Sequence, residues 1–479
     1  MVIVRMRSNG RWAAVVVILL CVVAGIVASR QSRTEIAFRT ITIGHTGQDL
    51  VLDPRAERLF IALTDASGSG ILDMVELRTG LRSRAATLPD APQALAIAPL
   101  LHHLFVSHGV SVSMIDTRNG RVLRTITVVA GPTTMEIQHA DASQYRIVTI
   151  AKPLTNLIMD KHTDQIFGIV SGGARVVVID ARTGNLRRVI PVDGNVQSMA
   201  LDGHSGRLIV TGTSNATGAG PTTACVRIID TRSFQVLHTV AVPISGDLSV
   251  APSLDETHAK PFISIRPWLL GGPPTLSQGM GRIMAIDTRT GAVLYTTTLN
   301  GVGTLVGTDD HSGYTVVAVA QSSRSVRVTT TNNGTTAIFS IITPDGPGII
   351  DVLDGRSGRM VQRVEVAGTP VAMSVDGEHG RVFVLEIDSS TGRSSVDVID
   401  TRSGHVVQAM PVGAGGGRFT IDLPGGQVAV LTNGGDIVDV RDVWGWVPSW
   451  ARHVLPFLPS ASSMRRHVPA SLTIFDDLH

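Results

Sequence analysis

From about residue 39 onward, the apolar positions fall into short runs of Val, Ile, Leu, Ala and Phe, each bounded by Gly, Asp, Ser or Asn. Runs of that length between turn-forming residues are strands rather than helices. The strands come in fours. In one stretch they are Met360 to Val366, Val371 to Val375, Arg381 to Glu386 and Val396 to Ile399. The second and third runs are joined by short polar links such as Asp202-Gly203-His204-Ser205-Gly206, Asp309-Asp310-His311-Ser312-Gly313 and Asp376-Gly377-Glu378-His379-Gly380. Gly supplies positive φ there and Asp bonds its own turn, so each link predicts a tight hairpin. Such hairpins begin near Gln48, Gln93, Thr155, Gln197, Asp247, Thr304, Val371 and Gly417, which counts eight units.

A second signature closes the fourth run. It reads Val398-Ile399-Asp400-Thr401-Arg402-Ser403-Gly404, with versions ending in Gly120, Gly184, Phe234, Gly291 and Gly358 and an outlying copy at Val75 to Gly80. A repeat of about 40 to 65 residues signals a propeller or a solenoid, and paired hairpins in each unit favour the propeller. The expectation is an all-β β-propeller of four-stranded antiparallel blades over residues 35–442, eight blades with seven as the alternative count. The signature is expected to be the turn that hands the chain to the next blade. The unit resembles the YVTN-type propeller repeat of bacterial exported proteins in Gly368-Thr369-Pro370, Met373 to Gly377, Arg381 to Val384 and Val398 to Gly404. No YVTN tetrapeptide is present, the nearest being Leu208-Ile209-Val210-Thr211, so the resemblance implies a divergent member.

The two ends depart from this pattern. Arg5, Arg7 and Arg11 precede an apolar run from Trp12 to Ala28, followed by Ser29, Arg30 and Arg33. These 17 residues suit a transmembrane anchor at the short end of the spanning range, or the core of a signal peptide cut near Ala28. Either reading keeps the N-terminus cytoplasmic and exports residues beyond 34. At the other end, residues 443–479 hold Trp444, Trp446 and Trp450, suited to a membrane interface or to covering the disc, and Ser471 to Phe475 reads as one more strand.

Composition then narrows the function. The net charge of +2 gives no field for a nucleic acid partner, and Cys21 and Cys225 cannot build a disulfide framework or a paired-cysteine site. No HExxH, GxSxG, P-loop, GxGxxG, EF-hand or CxxCH motif occurs. The recurring Asp116, Asp180, Asp230, Asp287, Asp354 and Asp400 read as turn caps, and the companion Arg118, Arg182, Arg232, Arg289, Arg356 and Arg402 as solvated turn residues or inter-blade ion pairs. His204, His311 and His379 read as turn residues, since equivalent turns of different blades are spread around a ring.

In an up-and-down meander, alternate connections share a face. The long ones, Val129 to Pro153, Ser214 to Ala224, Arg266 to Arg282, Gln321 to Gly348 and Asp388 to Ser395, all fall on one face. Long loops on a rigid scaffold carry binding, so the candidate binding residues are Arg266 and Trp268 on one of them and Arg324 and Arg327 on another. The expected function is a non-catalytic binding scaffold at the cell envelope, monomeric, without a cofactor, meeting a protein or envelope ligand. A propeller enzyme is the alternative, either a lactonase-like hydrolase with a central metal or a quinone-dependent dehydrogenase. Quinone-dependent propellers place a Trp in many blades, whereas Trp268 stands alone inside these repeats. Blade acids such as Glu136, Asp247 and Glu365 are the open candidates for a central metal.

Overall fold

The computed structural model describes residues 38–128, 133–138, 145–150, 154–170, 174–192, 194–214, 223–242, 247–255, 260–268, 281–309, 311–332, 335–377, 379–422, 427–432, 435–441, 462–468 and 471–475. It is a β-propeller. Among the described residues there are eight antiparallel four-stranded sheets, seven of them uninterrupted meanders and the eighth assembled from strands near both ends of the sequence.

Blade one is Thr46–Asp53, Arg58–Thr64, Gly70–Glu76 and Arg82–Leu88; blade two is Pro92–Ala98, His103–His108, Ser111–Asp116 and Val122–Thr127. Blade three is Leu154–Asp160, Gln165–Val170, Arg175–Asp180 and Leu186–Pro191; blade four is Asn195–Asp202, Arg207–Ser214, Thr223–Asp230 and Val236–Val242. Blade five is Asp247–Asp255, Lys260–Trp268, Arg282–Ile286 and Val293–Thr298; blade six is Val302–Asp309, Tyr314–Asn332, Thr335–Asp354 and Met360–Val366. Blade seven is Thr369–Asp376, Arg381–Ile387, Arg393–Asp400 and His405–Ala414. In each, the first strand is innermost and the innermost strands touch in succession around a closed ring.

Blade eight closes that ring. Its inner strands are Gly417–Asp422 and Gln427–Thr432, its third is Ser471–Phe475 and its outermost is Phe38–Thr42. The expected extra strand at Ser471 to Phe475 is therefore present, and it completes blade eight. One strand of this blade, Ser471–Phe475, lies outside the 35–442 span on its C-terminal side. Pairing of the two chain ends ties the ring shut and leaves no blade open-edged toward its neighbour.

Burial follows strand position. In blade three the second strand is buried at every residue, and in blades one and seven only the strand ends are part-exposed. Both of its faces are covered by adjacent blades, so the sequence runs continuously apolar there. Phe60, Phe105, Phe167 and Phe383 occupy the same place in four blades and are fully buried. The outermost strands are mostly exposed and rich in Arg, Thr and Gln. Each outermost strand from blade one to blade seven carries a register shift against its neighbour. Such bulges disrupt the free edge against pairing with another chain.

One expectation is corrected. The Asp-Thr-Arg turns join the third strand to the outermost strand of the same blade, as the pairing of Asp400 with His405 requires, and do not hand the chain on. A periodic pattern fixes the length of a unit but not where the unit begins. The run read as a unit's first strand, such as Met360 to Val366, is the outer strand of the preceding blade. Shifting the phase by one strand leaves the assignment of connections to faces unchanged, because the connections still alternate.

Candidate functional site

One face of the disc carries the two kinds of short turn. At the outer turns, Asp116, Asp180, Asp230, Asp287, Asp354 and Asp400 each accept the backbone N–H two residues ahead at 2.7–3.1 Å. The amides of Gly120, Gly184, Gly291, Gly358 and Gly404 return to the carbonyls of their turn aspartates at 2.8–2.9 Å. These aspartates cap turns. Hydrogen bonding by the Arg118 side chain holds Asp116 down at about 2, and the Ser357 hydroxyl lowers Asp354 in the same way.

Three of the turn arginines, Arg118, Arg182 and Arg289, pair with acids of their own blade. Arg118 grips Asp116 through two nitrogens, and Arg182 reaches Asp164 of its own inner hairpin with Nε at 2.8 Å. What crosses between blades is a set of side chains donating to turn carbonyls. Tyr295 of blade five reaches Gly355 O at 2.9 Å, Gln362 of blade six reaches Arg402 O at 2.7 Å, and His238 of blade four reaches Arg289 O at 2.8 Å. The signature is thus a clasp for the preceding blade. At Gly358 a Cβ would lie 2.4 Å from the Tyr295 ring, and φ is +69°, so this turn requires glycine on both counts.

The inner hairpins are also self-satisfied. Asp309 accepts from His311 N and Ser312 N, and Asp376 accepts from His379 Nδ1 at 2.8 Å. His204 of blade four meets His162 of blade three edge to face at 6.1 Å between ring centres, while His311 and His379 lie on blades six and seven. Among the described residues no three of His, Cys, Asp and Glu converge as metal ligands would. A cavity of about 220 Å³ opens on this face between the inner hairpins of blades one to three, lined by Pro54, Arg55, Leu100, Leu101, Lys161 and Asp164 among others.

The opposite face carries two-stranded extensions. Thr133–Gln138 pairs with Tyr145–Ile150 in the crossing from blade two to blade three. In blade six the second and third strands run on past the sheet as a ribbon pairing Ser322–Asn332 with Thr335–Asp345. Gly435–Arg441 pairs with Ser462–Val468 between the second and third strands of blade eight. In blade five, Asp247–Ser249 and Arg266–Trp268 pair beyond the start of the third strand. Every one of these belongs to a blade crossing or to a second-to-third connection, so topology puts them on one face.

The four candidate binding residues are therefore on strands, not loops. Arg266 pairs with Ser249 and Trp268 with Asp247 at the end of the blade-five hairpin, while Arg324 pairs with Thr343 and Arg327 with Ser340 on the blade-six ribbon. The two pairs belong to different blades. Sequence reading took these stretches for loops because their apolar and polar residues do not make one buried face, whereas strand pairing alone extends a ribbon. Glu136 lies on the first ribbon, Asp247 at the start of an innermost strand, and Glu365 is exposed on an outermost strand away from the axis. The Trp444, Trp446 and Trp450 cluster and the apolar run at 12–28 lie outside the described residues; among those described, no helix is long and apolar enough to cross a membrane.

Two buried polar clusters occupy equivalent places between blades. In blade two, His108 Nε2 lies 2.8 Å from Ser113 Oγ, which lies 2.8 Å from Thr125 Oγ1, and Asp90 Oδ2 stands 3.7 Å from His108 Nδ1. The order Asp-His-Ser has the look of a nucleophile triad, but Ser113 is 2% exposed and no substrate carbonyl can approach it. Burial lowers the His108 pKa, which keeps the ring neutral. In blade seven the same two positions are Glu386 and Asp397. Glu386 accepts from Gly368 N at 2.8 Å and from Ser395 Oγ at 3.1 Å, and burial, reinforced by the Glu386 charge, raises Asp397 to about 7. Sequence reading missed both pairs, since only strand register brings them together.

Comparison with known proteins gives the class and no more. No family model matches the chain, and no curated protein matches it in sequence. Solved structures do: the chain is similar to a europium-containing methanol dehydrogenase at 11% identity and a TM-score of 0.52, covering 92% of this chain and 93% of that one. It is also similar to the dihydro-heme d1 dehydrogenase NirN at 10% identity and a TM-score of 0.51, covering 77% of this chain and 66% of NirN. Likeness at this level carries the propeller fold alone.

Proposed function

We propose that this is an exported, membrane-anchored propeller of the YVTN type that acts as a non-catalytic binding scaffold at the cell envelope, through the face that bears the ribbons. The observation that carries the reading is the division of labour between faces. On one, turn acids, turn amides and turn carbonyls are consumed by one another and by the adjacent blade; on the other, paired strands project beyond the blades from at least four places. A rigid ring with extensions on one side presents a large surface at little ordering cost, as binding scaffolds require. Arg5, Arg7 and Arg11 ahead of the apolar run at 12–28 support cytoplasmic retention of the N-terminus and export of the ring.

The test is site-specific photocrosslinking of the full chain in its own cells. A photoreactive residue at Arg324 or Arg327 is expected to give discrete adducts with envelope components, and one at Leu100, on the opposite face, is not. Adducts from Leu100 alone would sink the reading. Metal analysis of the purified chain tests the enzyme alternative: a stoichiometric bound divalent ion would move the function to a propeller hydrolase or dehydrogenase.

A further inference from the structure

We infer that the mouth of the central channel on the ribbon face is a binding site for an uncharged, extended peptide segment, lined by carboxamides from four successive blades. This deepens the binding reading above and rests on it. The innermost strand carries a β-bulge near its start in six blades, shown by register shifts between Gly47 and Asp49, Pro92 and Ala94, Thr155 and Leu157, Val196 and Ser198, Val302 and Thr304, and Pro370 and Ala372. The extra residues are Gln48, Gln93, Asn156, Gln197, Gly303 and Val371. A bulge frees one residue from the ladder and re-aims its side chain.

Gly303 and Val371 form the same bulge without an amide, so the backbone geometry does not demand one. Asn156 has φ +58°, where asparagine is at home, so the three glutamines carry the weight. Gln93 and Gln197 are exposed and Gln48 is half-buried. Adjacent blades cover both faces of the innermost strands, so this exposure is toward the channel and its mouth. Gln48 and Gln93 share one level: Asp49, next to Gln48, accepts from the backbone N–H of Leu95, two residues beyond Gln93, at 2.8 Å, and Asn156 and Gln197 occupy the equivalent bulge positions of the next two blades. No carboxamide of the four bonds to another described residue. Each offers two N–H donors and a carbonyl acceptor to whatever enters.

The chemistry points to peptide. Among the described residues beside the four amides, Arg418 has its Nε 3.6 Å from Asp49, so that each offsets the other, while Asp247 begins the blade-five strand, which carries no bulge amide. Below the rim the innermost strands turn apolar, with half-buried Val51, Ile158, Leu201, Leu305, Met373 and Val375. A saccharide would carry hydroxyls into that apolar bore and leave them unpaired, which is costly. A peptide satisfies both zones, main-chain amides on the carboxamides and apolar side chains below them.

The probe is a set of uncharged, acetylated and amidated heptapeptides alternating Val or Leu with Ser, fluorescently labelled and titrated by anisotropy against the full chain. Saturable binding is expected, weakened at least tenfold in the Gln48→Leu, Gln93→Leu, Gln197→Leu combination with the melting temperature unchanged, and not displaced by maltoheptaose. Should the combination fold poorly, the single changes at the exposed Gln93 and Gln197 serve, each expected to weaken binding severalfold. Unchanged affinity, absence of peptide binding, or saturation by maltoheptaose instead overturns the inference. Replacing residues 323–344 by a tight turn separates the two levels. Peptide binding lost on that change but kept in the glutamine variants removes the channel site and leaves the ribbon face standing; binding lost only with Leu100→Ser removes both.

Discussion

Blades six and seven place an aspartate at the same point of the third strand, three residues before the turn acid, and surround it in opposite ways. Asp351 faces Arg363 across the ladder and accepts from its Nε at 2.7 Å and its second terminal nitrogen at 3.0 Å. Asp397 faces Ala409, and its charged neighbour is Glu386 on the inner side. Both are buried, at 2% and 6% exposure. An Arg-to-Ala difference on the outermost strand and a Val319-to-Glu386 difference on the second strand together separate a bidentate ion pair from a carboxyl whose pKa is raised to about 7, with one oxygen lacking a partner. Around the ring this position reads Asp73, Ser113, Val177, Arg227, Met284, Asp351 and Asp397. The turns repeat because the fold needs them; the residue facing the next blade is free to vary, and there the blades acquire individual chemistry.

The largest effect expected from this comparison comes from Arg363→Met. Asp351 would stay buried without its cation, as Asp397 does now, at a cost of about 3 kcal/mol. A urea midpoint at pH 7 measures it, and a loss below about 0.5 kcal/mol would mean that the pair contributes only at the level of a surface bridge. The variant should also become more stable on acidification, the direction the raised Asp397 pKa implies for blade seven.

A smaller effect is expected at Asp397 itself. Its folded pKa, about 7, exceeds the ordinary 3.8, so between those values the folded state keeps a proton that the unfolded chain has lost. The stabilisation is complete below about pH 4 and disappears as pH rises through 7, by up to ~1.4 kcal/mol per unit. Asp397→Asn donates to Glu386 as the protonated acid does, and cannot ionise. Melting temperatures from pH 5 to pH 8 should therefore fall less steeply in the variant, with the two proteins differing by about 2 kcal/mol at pH 8. Parallel profiles would show that Asp397 is ionised throughout.

How far the sequence disclosed this molecule depends on the range of the interaction involved. The hairpins beginning at Gln197, Thr304 and Val371 are legible because each carries its own turn chemistry within five or six residues, and Gly206, Gly313 and Gly380 do adopt positive φ. Blade phase is not, because a repeat has no marked origin; the pairing of Phe38–Thr42 with Ser471–Phe475 supplies one across more than 400 residues. The ribbon through Arg324 and Arg327 lacks the alternating apolar face by which a sequence marks a strand. The Glu386–Asp397 pair and the bulged glutamines depend on cross-strand register, which no local pattern encodes. The clasp on the turn carbonyls leaves no sequence mark for a related reason, since its acceptors are backbone atoms that any residue possesses.

The finest test transfers the blade-six arrangement into blade seven. Ala409 is exposed and directly opposite Asp397, so Ala409→Arg places a guanidinium where Arg363 stands relative to Asp351. Its stem can lie along the outermost strand with the charged head turned inward, as long basic side chains do. At pH 5 the Asp397 proton is still bound and the new arginine has little to pair with, so stability should be nearly unchanged. At pH 8 the carboxylate forms beside a cation instead of beside Glu386 alone, and the variant should gain up to ~1 kcal/mol, limited by the exposure of the arginine. Differential scanning fluorimetry at the two pH values reads this as a smaller loss of melting temperature on going from pH 5 to pH 8. If the loss is as large as in the wild type, the cross-strand residue does not set the ionisation of the third-strand acid, and the contrast between the two blades must lie in Glu386. Combining Ala409→Arg with Glu386→Gln then apportions it: with Glu386 neutral, Asp397 has only burial raising its pKa, and any remaining benefit of the arginine is its own.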